Sequence, residues 1–218
     1  MTAGGTGSAT ATATGTIGPA NSFDTVAHIF WRNTATGENM VWCMEGSKHV
    51  TTATIDPLPG AWRMVATADF NSDGEADILW RNMSTGANMV WYMNGATHTG
   101  SADLDPITDQ DWKIAGVADF NNDGKPDIVW RNSATGQNAV WYMEGTTRTG
   151  LALFGTYTDQ NWNIVGTTDL NSDGKPDIVW RNTATGENMV WYMNDATMTA
   201  AEPLPSFTDT NWKIVGEE

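Results

Sequence analysis

The chain has 218 residues and a formal net charge of −15, from 26 acidic and 11 basic residues. This length suits one domain with a sizeable core or several short repeats, and no apolar run is long enough to span a membrane. The acidic balance argues against nucleic acid and anionic membranes as partners, because their phosphates would be repelled. A single cysteine, Cys43, excludes an intrachain disulfide, and we interpret it as a packed free thiol.

The first 22 residues are rich in Gly, Ala, Ser and Thr, which predicts a flexible tail that buries no core. Within this tail, the alternating run Thr10–Thr14 could still add a strand to a sheet edge. No basic segment followed by an apolar stretch is present, so no signal peptide is visible.

Tryptophan marks an internal repeat that covers the rest of the chain. All 12 tryptophans fall into three columns, and neighbours within a column are 49 or 50 residues apart. The columns are Trp31, Trp80, Trp130 and Trp180; then Trp42, Trp91, Trp141 and Trp191; then Trp62, Trp112, Trp162 and Trp212. Such a period indicates a repeat architecture.

One period, residues 112–160, contains only strand and turn signals. Strands are predicted at 112–117, 128–131, 138–143 and 147–154, with a polar loop at 119–127 and a hairpin turn at 133–136. Four antiparallel strands in about 50 residues form one propeller blade. The absence of 3.6-residue periodicity argues against a helical solenoid.

The predicted fold is therefore all-β, a four-bladed β-propeller of four-stranded blades. The repeat begins at strand two, near residues 23–32, and its last strand one is Trp212–Gly216, so we predict that residues 211–218 complete the first blade and close the ring. The blades are then 23–60 with 211–218, 61–110, 111–160 and 161–210. Closure within one chain costs less entropy and favours a monomer, and the alternative is an eight-bladed ring from two strand-swapped chains.

Three repeats carry the same acidic loop between strands one and two. Oxygen-bearing side chains occupy loop positions 1, 3, 5 and 9, and glycine at position 6 allows a sharp turn. Ca²⁺ takes six to eight oxygen ligands, which these side chains, the position-7 carbonyl and water can supply. The predicted ligand positions for three Ca²⁺ ions are Asp69, Asn71, Asp73, Glu75 and Asp77; Asp119, Asn121, Asp123, Lys125 and Asp127; and Asp169, Asn171, Asp173, Lys175 and Asp177.

Two other interpretations of this loop fit less well. Asn-Ser-Asp-Gly is a good turn by itself, but a turn does not need four oxygens in register three times. An EF-hand needs a bidentate Glu at position 12, where this chain has Trp80, Trp130 and Trp180. The loop is therefore EF-like but joins two strands.

The pattern Asp-Phe-Asn-x-Asp-Gly-x-x-Asp, followed by an Ile-Val/Leu-Trp strand, resembles the FG-GAP/VCBS repeats of integrin-α-like propellers over residues 23–216. The resemblance implies calcium in this loop, bound at the positions named above. It also implies an extracellular or cell-surface location, since the family includes bacterial surface and secreted proteins and calcium-containing propeller lectins. Relatives commonly have seven blades, whereas this chain predicts four.

The ring face opposite the acidic loops is a candidate ligand site. Its strand-four to strand-one corners and strand-two ends combine carboxylate, amide, guanidinium and indole groups, which suit sugar binding. The candidate residues are Gln110, Asp111, Trp112, Gln160, Asn161, Trp162, Arg81, Arg131 and Arg181. Tryptophans in every blade are more often core, and arginines at strand ends more often fix turns.

We therefore expect a calcium-stabilised binding module for glycans. The alternative is a structural or protein-interaction module without sugar binding. Catalysis is not indicated, because His28, His49 and His98 do not recur at equivalent positions and no catalytic triad is legible.

Overall fold

The computed structural model describes residues 12–14, 27–58 and 60–214, and all regular structure in these ranges is β. The sixteen strands are β1 Thr12–Thr14, β2 Ala27–Arg32, β3 Asn39–Glu45, β4 Lys48–Ile55, β5 Trp62–Ala68, β6 Asp77–Asn82, β7 Asn88–Asn94, β8 Thr97–Leu104, β9 Trp112–Ala118, β10 Asp127–Asn132, β11 Asn138–Glu144, β12 Thr147–Phe154, β13 Trp162–Thr168, β14 Asp177–Asn182, β15 Asn188–Asn194 and β16 Thr197–Leu204. These described ranges include no helix that is long and apolar enough to cross a membrane.

The strands form four antiparallel sheets, each of four consecutive strands in chain order. The first strands of neighbouring sheets contact one another, β1 with β5, β5 with β9, and β9 with β13. They are therefore the inner strands, and each fourth strand is the outer one. This arrangement confirms the four-bladed, all-β propeller.

Burial follows the position of a strand within its blade. Every residue of β10 is buried, whereas exposed residues predominate in β12. A second strand is covered on both faces by neighbouring blades, and its sequence is accordingly apolar on both faces. The outer strand meets solvent and can carry polar side chains.

The core lies between the blades. One tryptophan in each of the last three blades, at positions 80, 130 and 180, is fully buried against the preceding blade. Each also packs on a second tryptophan of its own blade, with ring centroids 4.9, 4.8 and 4.7 Å apart. Burial of an aromatic side chain of this size contributes about 4–6 kcal/mol by area, so these three tryptophans contribute substantially to stability.

The prediction that the C-terminal segment completes the first blade was wrong. The inner strand of this blade is β1, whose residue Ala13 pairs with Ile29 of β2, and not the C-terminal segment. Trp212 and Ile214 are outside any strand and are 61% and 42% exposed. Because β1 already occupies the free edge of β2, residues 212–214 have no backbone to pair with there.

The N-terminal prediction was therefore correct in part. The strand suggested for Thr10–Thr14 is confirmed over Thr12–Thr14. The flexible tail predicted for the rest of residues 1–22 lies outside the described residues, as do 23–26 and 215–218. In the described ranges, the first blade thus consists of 12–14 and 27–55.

Candidate functional site

Each acidic loop joins the inner strand of a blade to the second strand, after β5, β9 and β13. The fourth loop residue has a positive φ in all three, 62° at Ser72, 60° at Asn122 and 62° at Ser172. The glycine at position 6 also has a positive φ, for example 85° at Gly124. Three different sequences thus adopt one tight backbone, as the repeated spacing predicts.

Side-chain oxygens at loop positions 1, 3 and 5 converge on the loop's own amides. In the second loop, the Asp123 N–H donates to Asp119 Oδ1 and to Asn121 Oδ1, both at 3.0 Å. Two oxygens that bond to the same N–H lie close together. Asp123 in turn accepts from the Lys125 N–H at 2.9 Å and from Asn121 Nδ2 at 3.0 Å.

The other two loops repeat these bonds. In the first, the Asp73 N–H donates to Asp69 Oδ1 and Asn71 Oδ1 at 3.1 and 2.9 Å. In the third, the Asp173 N–H makes the same pair of bonds at 3.2 and 2.9 Å. Each loop therefore gathers the carboxylates of positions 1 and 5 and an amide oxygen at one place.

The aspartate at position 9 behaves differently, because its side chain is fully buried. Asp127 Oδ2 accepts from the Phe120 N–H at 2.9 Å, and its Oδ1 accepts from the Met143 N–H at 3.0 Å. The carboxylate thus ties the loop to β11. Asp77 and Asp177 make the same connections in their blades.

Burial strongly affects the ionisation of two of these aspartates. It raises the pKa of Asp77 and of Asp127 to about 6, although the backbone N–H groups favour the ionised form and act in the opposite direction. Other aspartates of the same loops add to the increase in pKa through repulsion, Asp73 and Asp69 for Asp77, and Asp123 for Asp127.

The oxygen donors of each acidic loop suit a hard cation, but the side chains would have to rearrange to surround one. Within the described ranges, no three His, Cys, Asp or Glu side chains come together in a group that could hold a metal ion. The position-9 carboxylate of each loop turns inward to the backbone. It still has lone pairs to spare, because an ionised carboxylate offers about four and two or three are used.

The position-7 side chains point to a neighbouring turn. Glu75 Oε2 accepts from the Gly95 N–H at 3.1 Å, and Lys125 forms an ion pair with Glu144. This is consistent with a ligand role for the position-7 backbone carbonyl alone, which the sequence suggested for Glu75, Lys125 and Lys175. Calcium at the three loops stays a prediction.

On the opposite face, the three candidate arginines are buried and hold turns together. Arg131 donates from Nη1 to Gly136 O at 3.2 Å and to Asn138 Oδ1 at 3.1 Å, and from Nη2 to Tyr157 O at 3.1 Å. Arg81 and Arg181 repeat the pattern. Burial lowers the pKa of Arg81 and of Arg131 from the ordinary arginine value.

Two of these arginines, Arg81 and Arg131, and their equivalent Arg32 also reach the next blade. The guanidinium carbon lies 5.1, 5.0 and 4.9 Å from the centre of a tryptophan ring, in the pairs Arg32–Trp80, Arg81–Trp130 and Arg131–Trp180. Such cation–π contacts contribute up to about 2 kcal/mol when desolvated. The residues on this face therefore connect blades as well as turns.

Sequence reasoning missed part of this network. Arg32 is the fourth member, and the asparagine that accepts from each arginine was not singled out, although Asn39, Asn88, Asn138 and Asn188 recur at the repeat spacing.

The expectation that no histidine recurs at an equivalent position was also wrong. His49 and His98 are equivalent, opposite Met44 and Met93, and their rings lie 5.0 and 4.3 Å from those of Trp42 and Trp91.

The remaining candidates lie at the corners before β9 and β13. Asp111, Gln160 and Asn161 are exposed, and Gln110 is half-buried with its amide donating to Thr108 O at 3.0 Å. The indoles of Trp112 and Trp162 pack into the core clusters. The surface open to a ligand is therefore polar, and these two indoles serve mainly as core.

Comparisons with known proteins agree with the architecture. A model of the FG-GAP-like repeat matches residues 69–130 and 119–180, which together cover just over half of the 218 residues. No curated protein sequence matches the chain significantly.

Two solved structures are similar to this chain over part of their length. A glutaminyl cyclase from Myxococcus xanthus has a TM-score of 0.42 and 12% identity, over 80% of this chain and 65% of that chain. A protein of unknown function from Bacteroides caccae has a TM-score of 0.46 and 8% identity, over 82% of this chain and 57% of that chain. The chain thus spans less than two thirds of either protein. The repeated loops, the propeller sheets and the family match together show that this chain belongs to the FG-GAP-like repeat family.

Proposed function

We propose that the protein is a calcium-stabilised binding module that works outside the cell or at its surface. The observation that supports calcium is the convergence of carboxylate and amide oxygens at loop positions 1, 3 and 5, repeated in three blades. Ca²⁺ would supply positive charge where the aspartates at positions 1 and 5 of each loop repel one another. It would also hold the turn between the inner and second strands.

Calorimetric titration of the calcium-free protein with CaCl₂ tests this proposal. We expect three sites per chain with dissociation constants near 10⁻⁴–10⁻³ M, the range of extracellular calcium modules. Mg²⁺ at the same concentration is the control, since it dehydrates reluctantly and prefers to keep its waters. The absence of binding at millimolar calcium, with no change in melting temperature on adding EDTA, would disprove it.

The ligand that we propose is carbohydrate, bound at the polar corners. The exposed groups of Asp111, Gln160 and Asn161 offer carboxylate and amide contacts at equivalent places on two blades. Several equivalent weak sites would gain avidity on a multivalent glycan. A glycan array identifies the sugar, and Gln110→Ala with Gln160→Ala should weaken binding without changing the melting temperature.

A protein-interaction module is the second candidate, and a feature of the fourth blade favours it. Phe207 is 53% exposed, whereas its equivalents Ile107 and Tyr157 pack against the core of the next blade. An exposed aromatic pair of Phe207 and Trp212, with ring centroids 5.6 Å apart, suits a protein partner. Absence of binding to any glycan at millimolar concentration would favour this candidate.

Our proposal assigns no catalytic role to the chain. The one described His–carboxylate pair, His98 with Asp56 at 3.0 Å, lies between two blades. His98 also contacts Gly100 O at 2.9 Å, so both ring nitrogens have partners. This geometry is typical of a structural contact that holds neighbouring blades together.

A further inference from the structure

A cavity of about 330 Å³ lies beside the inner strands at the end opposite the acidic loops. It is bounded by β9, by β13 and by residues 212–214. Among the described residues, no carboxylate lines it, and four cationic side chains do: Lys113, Arg131, Arg181 and Lys213. Its volume is at the lower end of the range for small-molecule sites.

The charge of this lining is opposite in sign to the net charge of the protein. Acidic residues outnumber basic ones by 26 to 11, yet four of the 11 basic residues surround this cavity. A concave surface with charges of one sign concentrates the potential and attracts ions of the opposite sign. The cavity is therefore expected to be positive within a negative molecule.

Two of the four charges are buried and form no direct ion pair in the described ranges. Arg131 and Arg181 are 4% and 3% exposed, and neither forms an ion pair with a described carboxylate. Asp159 acts on Arg131 only through its electrostatic field, and it accepts from Asn182 Nδ2 at 3.4 Å. A buried cation without a compensating anion is costly.

Each buried guanidinium also keeps one unused donor. The Nε–H groups of Arg131 and Arg181 have no hydrogen-bond partner among the protein atoms described. Arg32 and Arg81 share this property, so the unused donor belongs to the repeat. The two lysines distinguish this cavity, since neither has an ion-pair partner in the described ranges.

We propose that this cavity is a binding site for an oxyanion, a sulfate or phosphate group, either free or carried by a larger ligand. The ammonium groups of Lys113 and Lys213, next to two buried guanidinium charges, suit a ligand that only accepts hydrogen bonds and that has several oxygens, and a tetrahedral oxyanion meets both conditions. The site uses no residue of the acidic loops. It goes beyond the proposed function and does not depend on calcium or sugar binding.

Calorimetric titration of the full 218-residue chain with inorganic ions tests the site. Sulfate is titrated in calcium-containing buffer and phosphate in calcium-free buffer, because calcium phosphate precipitates. We expect saturable binding of at least one of the two ions, weakened by added salt. Absence of binding by both ions would overturn the proposal.

Variants decide whether the bound ion occupies this cavity. Lys113→Ala and Lys213→Ala should each weaken binding roughly tenfold, the effect of losing one charge-assisted hydrogen bond. Lys113→Arg should restore most of it. Lys48→Ala removes one charge from an outer strand, where Lys48 lies 3.8 Å from Glu45, and should have no effect. Unchanged binding in the Lys113→Ala/Lys213→Ala double variant would mean an adventitious ion only, elsewhere on the surface, and would overturn the assignment.

Discussion

The substitution Asp123→Ala separates the calcium role of an acidic loop from its role as a turn. Asp123 is exposed and makes two hydrogen bonds within the loop, to the Lys125 N–H at 2.9 Å and to Asn121 Nδ2 at 3.0 Å. Loss of two solvent-exposed bonds costs about 1 kcal/mol, partly offset by weaker repulsion from Asp119. In EDTA, the variant should therefore lose about 1 kcal/mol or less of the free energy of unfolding.

The proposed calcium binding should enlarge this difference. At a calcium concentration ten times the dissociation constant, each proposed site should add about 1.4 kcal/mol, so three sites should add about 4 kcal/mol to the free energy of unfolding of the native protein. Asp123→Ala should retain about 3 kcal/mol of that increment. Asp103→Ala removes an equal charge from the exposed side of β8 and should retain all of it.

Urea denaturation followed by tryptophan fluorescence measures both quantities, in EDTA and in calcium. The reasoning fails if the native protein has the same free energy of unfolding in both buffers. It also fails if Asp123→Ala keeps the full calcium increment, because the loop would then act only as a turn.

Three further predictions follow from burial and backbone geometry. In EDTA the melting temperature should rise as pH falls from about 6 to about 4. The pKa values of Asp77 and Asp127 are raised in the folded state, so the folded protein binds protons at a higher pH than the unfolded chain does, and this protonation adds a few kcal/mol to the free energy of unfolding, which is lost again as pH rises through about 6. A fall in melting temperature over this range would contradict the prediction. Gly136→Ala should lower the free energy of unfolding, measured by urea denaturation, by at least 2 kcal/mol more than Gly124→Ala does. Both glycines have a positive φ, but of the two only Gly136 would place a Cβ 2.0 Å from a backbone carbonyl oxygen. Equal losses for the two variants would contradict the prediction. Trp212→Ala should lower the free energy of unfolding by less than about 1 kcal/mol, since the ring of Trp212 is mostly exposed. A loss of several kcal/mol would instead show that the C-terminal segment completes a blade.

The periodicity of the sequence was enough to predict the blades and the three loops. Tryptophan spacing reports packing directly, because each buried ring needs an equivalent space between two blades. The inner strand of the first blade was harder to assign. Thr12–Thr14 and Trp212–Gly216 compete for the same edge of β2, and a three-residue strand of small polar residues carries little sequence signal.

Within the candidate site, side-chain type was predictable and direction was not. The spacing of Asp119, Asn121 and Asp123 predicted oxygens in register. The inward turn of Asp127 depends on the Met143 N–H, which lies 16 residues further along the chain in β11. Contacts across strands of this kind depend on sheet register, which a local motif does not encode.

The stacking of Arg32, Arg81 and Arg131 on the tryptophan of the following blade has a consequence for how such a protein can arise. Trp130 and Arg131 are adjacent, so their side chains point to opposite faces of one sheet, and each 50-residue unit carries both halves of the same joint. A single excised unit would expose an indole on one face and a guanidinium on the other, with nothing to cover either. Tandem duplication supplies the missing half at once, since an identical copy is already complementary to the original. Any two units of this chain could therefore be exchanged or added without designing a new interface.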